Sequence, residues 1–322
     1  MLGSVDVLIS TPLRLLTLVR AGCVDLSAVQ LVVLDEADKL FEFDMNKTRH
    51  DDAAAATADE EEEEEEEEEG SQSDGEQEGG NGDGRQSSFL NQVDEILNEC
   101  TSESLCRALF SATIGPMVTT LANSFLVNPV QITIGVENAG ASTIEQRLVF
   151  VGKEESKLMS MRQLIQQGIT PPVLVFVQSK DRAKELFLEL VYDGIHVDVI
   201  HAERTEQQRE EVIKQFRLGN IWVLICTDLM ARGVDFKGVQ LVINYDFPQS
   251  AVQYIHRIGR TGRAGRTGTA VTFFTEADLP RLRSIANVMK LSGCDIPDWI
   301  MSIKKVCYSV RCSVSVIVSL QC

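Results

Sequence analysis

Short apolar runs alternate with amphipathic stretches along most of the chain, and this alternation predicts strands that alternate with helices. Apolar runs bounded by turn residues occupy residues 5–10 and 31–35, and they predict two buried strands. Between them, residues 12–22 have Pro near the start and Gly at the end, which predicts a helix. This order is typical of a parallel sheet covered by helices.

The same alternation continues after an interruption at residues 44–87. Apolar positions on one side of residues 88–100 predict an amphipathic helix. Further on, the pattern predicts a strand, a helix with Pro in its first turn and another strand, at residues 105–113, 115–126 and 129–135. Residues 136–143 are small and polar, so we expect an interdomain linker there.

A second set of elements begins near residue 144 and predicts one complete parallel α/β domain over residues 144–300. Its helices are predicted at residues 180–193 and 205–218. Its strands are predicted at residues 145–151, 172–178, 196–201, 221–227, 239–246 and 268–274. The sequence therefore predicts two α/β domains, of which the first, residues 1–135, is partial.

The interruption at residues 44–87 explains the formal net charge of −18. Residues 51–84 hold 17 Asp and Glu and no Lys or Arg, and subtracting these carboxylates from −18 leaves −1 for the other residues. Such a low-complexity segment cannot bury a core, so we expect a disordered acidic insertion. It would either bind basic proteins or serve only as a solvated insertion.

The spacing of the cysteines and the length of the apolar runs indicate the cellular compartment. The eight cysteines form no C-x-x-C pair, so no structural zinc site is predicted. The sequence shows neither a signal peptide nor a membrane-spanning run, and we expect an intracellular protein without membrane contact. The end of the chain, residues 301–322, is expected to be a poorly ordered tail or an edge strand, because residues 306–322 alternate and are β-prone.

Three motifs are candidates for nucleotide chemistry, although the first alone could equally begin a solvated helix and the second alone carries almost no signal. Residues 35–38 read Asp-Glu-Ala-Asp directly after a predicted strand, where a carboxylate can hold Mg²⁺ beside phosphates. Residues 111–113 read Ser-Ala-Thr after another strand. Residues 256–266 place four arginines at intervals of three with glycines between them. Phosphate binding would explain that spacing, because guanidinium groups match phosphate oxygens. The four residues are Arg257, Arg260, Arg263 and Arg266.

The order of these motifs resembles that of the DEAD-box RNA helicases. From the N-terminus the chain reads TPLR, DEAD, SAT, VFVQS, TDLMARGVD and HRIGRTGR, and the resemblance covers residues 1–45 and 88–300. Finer features, such as DKLFE and IANVMKLSGCDIPDWI, resemble the Rok subgroup of small-subunit ribosome biogenesis. The resemblance implies two RecA-like domains, ATP and Mg²⁺ as cofactors, RNA such as pre-rRNA as the partner, and a nuclear or nucleolar location.

The resemblance also implies roles for individual residues. Asp35 would hold Mg²⁺ through water, Glu36 would orient the attacking water, and Arg260 and Arg263 would act as arginine fingers. The remaining residues are implied to couple the nucleotide and RNA sites (Asp38, Ser111, Thr113 and His256), to bind nucleotide (Gly233 and Asp235), or to bind RNA (Thr11, Arg14, Arg209 and Thr227).

Departures from the family pattern leave three readings open. The phosphate loop G-x-x-x-x-G-K-[ST] does not occur in the sequence, so we expect little ATPase activity from this chain. Glu206 stands where Gln is usual, which predicts a weaker RNA grip or an altered internal ion pair. The chain is then an RNA helicase recorded incompletely, an inactive truncated isoform that binds RNA or a partner, or a module for basic proteins.

Overall fold

The computed structural model describes residues 5–38, 89–228, 236 and 238–302. The chain divides into two compact units, Met1–Val130 and Gln131–Cys322. The acidic insertion at 44–87, the tail after residue 302, Gly233 and Asp235 were all predicted from sequence, and they lie outside the described residues.

The described residues of unit 1 form three helices and a two-stranded parallel sheet. Its elements are α1 (Pro12–Arg20), β1 (Leu31–Leu34), α2 (Phe89–Glu99), β2 (Cys106–Leu109) and α3 (Pro116–Phe125). In the sheet, Leu31 lies opposite Cys106 and Leu34 opposite Leu109. Apolar side chains of α3 pack with Val93 of α2 in one small core. These elements confirm the helices and strands predicted at residues 12–22, 31–35, 88–100, 105–113 and 115–126.

Two strands predicted around the short sheet of unit 1 are wrong. Residues 5–10 and 129–135 form no strand, and their apolar side chains are exposed, with Ile9 at 92% and Ile134 at 94%. A strand needs a neighbour to accept its backbone hydrogen bonds. Among the described residues, β1 pairs with β2 and no strand pairs with either predicted segment.

Unit 2 contains a six-stranded parallel sheet with helices between the strands. Its strands are β3 (Ile144–Gly152), β4 (Val173–Phe176), β5 (Val197–Ile200), β6 (Val223–Cys226), β7 (Leu241–Asn244) and β8 (Gly268–Thr275). Its helices are α4 (Lys157–Gln166), α5 (Lys180–Tyr192), α6 (Glu206–Arg217), α7 (Ala251–Ile258), α8 (Leu279–Leu291) and α9 (Asp298–Ser302). All six predicted strands and both predicted helices of this region are confirmed.

The sheet order is β3-β8-β7-β4-β6-β5. Strands β4, β6 and β7 are buried along their whole length, as expected when helices cover both faces of a parallel sheet. Successive side chains of β4 enter opposite cores, because Leu174 and Phe176 join one apolar cluster and Val173 and Val175 join the other. Because all six strands are parallel, the loops that follow them meet at one carboxyl edge of the sheet, where ligands of such folds bind.

Candidate functional site

The two short motifs of unit 1 meet at the carboxyl ends of its parallel strands. The Asp-Glu-Ala-Asp motif follows β1 and the Ser-Ala-Thr motif follows β2. The backbone N–H of Ala37 donates a hydrogen bond to the Phe110 carbonyl at 3.0 Å, which extends the pairing of the two strands by one step. The strand register therefore brings two motifs together that are 75 residues apart between Asp38 and Thr113.

A hydrogen bond joins the two motifs directly. Thr113 Oγ1 donates to Asp38 Oδ2 at 2.5 Å, and both residues are buried. Ser111 Oγ donates to the Thr113 carbonyl at 2.7 Å, so all three residues predicted to couple the two sites in unit 1 lie in one contact network. A movement of either motif would therefore be transmitted to the other.

The residues predicted for metal and water chemistry lie beside this network. Asp35 is exposed, and its Oδ1 accepts a hydrogen bond from the Glu36 backbone N–H at 2.9 Å. Glu36 has φ = 49°, a left-handed conformation that is uncommon for a residue with a side chain and that occurs often at functional sites. An exposed carboxylate with one oriented oxygen suits Mg²⁺, which retains several waters and needs few protein ligands.

Thr11 and Arg14, which are predicted to bind RNA, lie at the start of α1. Thr11 is the N-cap residue and Arg14 belongs to the first turn, and both are exposed. Pro12 suits this place because a first-turn residue has no intrahelical partner for its N–H. Both side chains are thus presented to solvent on one rigid turn.

In unit 2, helix α7 and the loop after it carry the regularly spaced arginines. Arg260, Arg263 and Arg266 line a cavity of about 290 Å³ together with Phe236 and residues 238–240. The Arg260 Nε donates to the His256 carbonyl at 3.3 Å, and the Arg263 Nε donates to the Gly259 carbonyl at 2.7 Å. Both predicted arginine fingers are therefore held by the backbone one turn earlier while they line this cavity.

The first arginine of the series corrects the interpretation that all four bind phosphate. Arg257 is only 1% exposed and forms a bidentate ion pair with Asp228, at 2.7 Å from Nε and 2.8 Å from Nη2. Its Nη1 donates to the Asp246 carbonyl at 2.7 Å. Arg257 is therefore an internal brace that fixes α7 to the ends of β6 and β7, because each of its three guanidinium nitrogens donates to a protein acceptor.

The predicted RNA-binding residues of unit 2 lie after β6 and on α6. Thr227 follows β6 directly and is partly exposed, and Arg209 lies in the first turns of α6, where the Thr205–Gln208 capping box fixes the start of the helix. Glu206 is exposed in the first turn, where the helix dipole favours a carboxylate. The altered internal pair expected for Glu206 stays a prediction.

A second buried charge cluster was not predicted from sequence. Asp246 is 2% exposed, and its carboxylate accepts hydrogen bonds from Lys157 Nζ at 3.0 Å, Arg182 Nε at 2.8 Å and the Gln178 backbone N–H at 2.9 Å. Burial raises the pKa of Asp246, but the Arg182 hydrogen bond and the Lys157 charge outweigh it and hold the pKa below its usual value. In the sequence, this cluster is indicated by the Tyr245-Asp246 pair at the end of an apolar strand.

The described residues contain no cluster of three metal-ligating side chains and no helix that is long and apolar enough to cross a membrane. A single carboxylate such as Asp35 is consistent with the first finding, because a water-mediated Mg²⁺ needs no cluster of protein ligands.

Comparison with known proteins places this geometry in a family. A sequence profile for the helicase conserved C-terminal domain matches residues 156–265. The chain is 46% identical over 299 residues to the probable ATP-dependent RNA helicase ddx52 of Dictyostelium discoideum, covering 93% of the chain and 38% of the relative. It is 48% identical to rat DDX52 over 302 residues and 46% identical to ROK1 of Eremothecium gossypii over 301, again covering 93% of the chain, with 44% and 45% of those proteins.

A solved structure agrees with these relatives. Yeast Dbp5 bound to RNA and ADP BeF3 matches with a TM-score of 0.65 and 26% identity, covering 90% of this chain and 63% of Dbp5. The chain spans less than half the length of the three curated relatives named above. The motif order and these matches place the chain in the DEAD-box family, in the group of ROK1 and DDX52, relatives that are named ATP-dependent RNA helicases.

Proposed function

We propose that this protein is an RNA helicase that unwinds RNA locally in an ATP-dependent reaction and acts in rRNA processing and small-subunit assembly in the nucleolus. This chain, whose sequence has no phosphate loop, is expected to turn over little ATP by itself. Residues 1–135 then contribute the partial ATP-binding domain and residues 144–300 the helicase C-terminal domain, with 136–143 as the linker. The observation that carries the proposal is the Thr113–Asp38 hydrogen bond, because it links the nucleotide motif to a second motif. The relatives named ROK1 and DDX52, and the RNA-bound Dbp5, support it.

The chemistry of phosphoryl transfer fits the residues that are present. When bound, Mg²⁺ neutralises phosphate charge, and Asp35 is the residue that would hold it through water. Glu36 would orient the attacking water, and its strained backbone fixes the direction of its side chain. Arg260 and Arg263 would neutralise charge on the phosphates, and an arginine finger contributes about 10³ to 10⁵ in rate.

The RNA grip would come from both units. Thr11 and Arg14 are exposed on the first turn of α1, and Arg209 and Thr227 lie at the carboxyl edge of the second sheet. Such groups bind mainly phosphate and sugar, so we expect little sequence preference. Asp235 and Gly233 are proposed nucleotide contacts from the sequence motif alone.

The RNA grip is tested by fluorescence anisotropy with a labelled single-stranded RNA. Arg209→Gln should weaken binding about 3- to 10-fold, as expected for loss of one charged phosphate contact. Arg147→Gln is the matched control, because Arg147 is exposed on β3 and pairs with Glu145. Equal affinity of the two variants would contradict the assignment of Arg209.

The acidic segment at 51–84 provides a separate proposal on partners. Its 17 carboxylates without any Lys or Arg would attract basic proteins through electrostatic steering. Deletion of the segment should abolish capture of a lysine-rich protein at low salt while RNA affinity is retained. Unchanged capture after deletion would show that the segment is only solvated.

A further inference from the structure

A charged cluster on unit 2 has no role in the function proposed so far. Lys180 and Lys184 lie one turn apart at the start of α5, and Glu203 lies in the loop between β5 and α6. Lys180 Nζ donates to Glu203 Oε1 at 2.6 Å, and Lys184 Nζ donates to Oε2 at 2.7 Å. One carboxylate thus occupies two ammonium groups, and all three side chains are about half exposed.

This contact does not open by protonation near neutral pH. Hydrogen bonds from Lys180 and Lys184 lower the pKa of Glu203 to about 2, so the carboxylate remains ionised. Two ammonium groups that converge on a pair of oxygens 2.6–2.7 Å away also match the geometry of a phosphate group. A competing anion is therefore what can release the two lysines from Glu203.

The strand register places this cluster beside the proposed RNA contacts. Ile200, the last residue of β5, is the register partner of Cys226, the last residue of β6. His201 and Thr227 therefore leave adjacent parallel strands side by side, and Glu203 follows His201 by two residues. The Lys180–Lys184 pair and Thr227 consequently share the carboxyl edge of one sheet.

The other basic groups near this edge, His201 and Arg204, contribute little positive charge to an incoming anion. His201 is 9% exposed and its Nδ1 has no hydrogen-bond partner. Burial lowers its pKa, and the charges of Lys184 and Arg204 lower it further, so the imidazole is neutral. Arg204 is itself held by Asp198 at 2.7 Å. Neither His201 nor Arg204 therefore offers an unpaired positive charge to a phosphate, whereas the lysine pair adds one to the proposed contact from Arg209.

We propose that Lys180 and Lys184 form an accessory site for one phosphate of the RNA strand, and that Glu203 occupies this site until RNA displaces it. The inference rests on the proposed RNA binding and adds a contact to it. Because RNA must displace the Glu203 carboxylate, the ion pair lowers the affinity of the free protein for RNA. A strand that reaches the start of α5 gains a phosphate contact with the two lysines.

The test compares Glu203→Gln with Glu211→Gln by anisotropy of a labelled single-stranded RNA over a series of KCl concentrations. Glu211 is the matched control, because it pairs with Lys214 on α6 in an exposed contact of 3.7 Å. Glu203→Gln should tighten RNA binding about 3- to 10-fold, since it removes one charge that competes with phosphate about 4 Å away. Glu211→Gln should leave the affinity unchanged.

A second variant separates phosphate binding from a structural effect. The double change of Lys180→Gln and Lys184→Gln should weaken binding and lower the slope of log K against log salt by about 0.7, the value for one phosphate contact on single-stranded nucleic acid. In that background Glu203→Gln should have no effect, because the lysines it competes for are gone.

The outcomes distinguish the two proposals. RNA binding in which Glu203→Gln and Glu211→Gln behave alike would overturn the accessory site and leave the proposed function intact. A Glu203 effect that persists without the lysines would also overturn it. Absence of RNA binding in the parent chain and every variant would overturn both.

Discussion

The buried ion pair of Arg257 gives the sharpest test of the structure. Arg257→Met keeps much of the side-chain volume but leaves the Asp228 carboxylate without its bidentate partner at 2.7 and 2.8 Å. Removal of one partner from a buried ion pair destabilises a protein by about 3–5 kcal/mol. The Asp228 side chain is 24% exposed, so water offsets part of this loss, and we expect about 3 kcal/mol.

The tryptophans make this measurement specific to unit 2. The chain has two, Trp222 and Trp299, and both lie in Gln131–Cys322. Urea unfolding followed by their fluorescence therefore reports unit 2 alone. With a denaturant slope of about 2–3 kcal/mol per molar, Arg257→Met should lower the urea midpoint by about 1–1.5 M.

An exposed pair supplies the control for this experiment. Arg147 and Glu145 lie 2.6 Å apart with both side chains 59% exposed, and such pairs contribute about 0–1 kcal/mol. Arg147→Met should therefore barely move the midpoint, and Asp228→Asn combined with Arg257→Met should recover part of the loss. A urea midpoint of Arg257→Met within about 0.3 M of the parent midpoint, at the same denaturant slope, would show that Arg257 does not stabilise unit 2 as a brace.

Three further predictions concern other buried groups of unit 2. The pKa of Asp246 is lowered in the folded state, so its stabilisation is present above the unfolded pKa of about 4 and is lost as the pH falls through the folded pKa. Asp246→Asn should thus destabilise at pH 7 and flatten the fall in urea midpoint below pH 4; an unchanged pH dependence would refute this. Burial raises the pKa of the Cys226 thiol, so peptide mapping after iodoacetamide at pH 8 should find Cys226 unmodified and the exposed Cys106 labelled, and equal labelling would contradict the burial. A Cβ at Gly268 would lie 2.0 Å from Thr261 Oγ1, so Gly268→Ala should lower the free energy of unfolding by about 1–3 kcal/mol. An unchanged urea midpoint would show that the backbone around Thr261 can shift to accept the extra methyl group.

Local patterns were sufficient to predict most elements of unit 2. Runs such as residues 172–178 are apolar throughout because both faces of β4 are covered, and a buried parallel strand requires that composition. The same reasoning failed at residues 5–10 and 129–135. Strand composition expresses a tendency, but pairing depends on a neighbour, and no neighbouring strand lies beside these segments in the described structure.

The site shows the same limit of local information. The spacing of the arginines indicated phosphate binding, yet the partner of Arg257 is Asp228, 29 residues earlier. The ligands of the Asp246 carboxylate are further still, because Lys157 precedes it by 89 residues. Spacing within a motif could indicate Arg260 and Arg263 at the cavity, but it could not separate an internal brace from a ligand contact.

The placement of β8 has a consequence for synthesis on the ribosome. Strand β3 is the first strand of unit 2, and its partner in the sheet is β8, the last, with Ile144 opposite Gly268. The ribosome adds the 124 residues from Glu145 to Gly268 at about 5–20 residues per second, so β3 remains unpaired for roughly 6–25 s. During that interval its hydrogen-bonding groups and the apolar Ile144 and Val151 are open to other chains. Folding of this unit in the cell therefore depends on protection of one emerging strand until the final strand has left the exit tunnel.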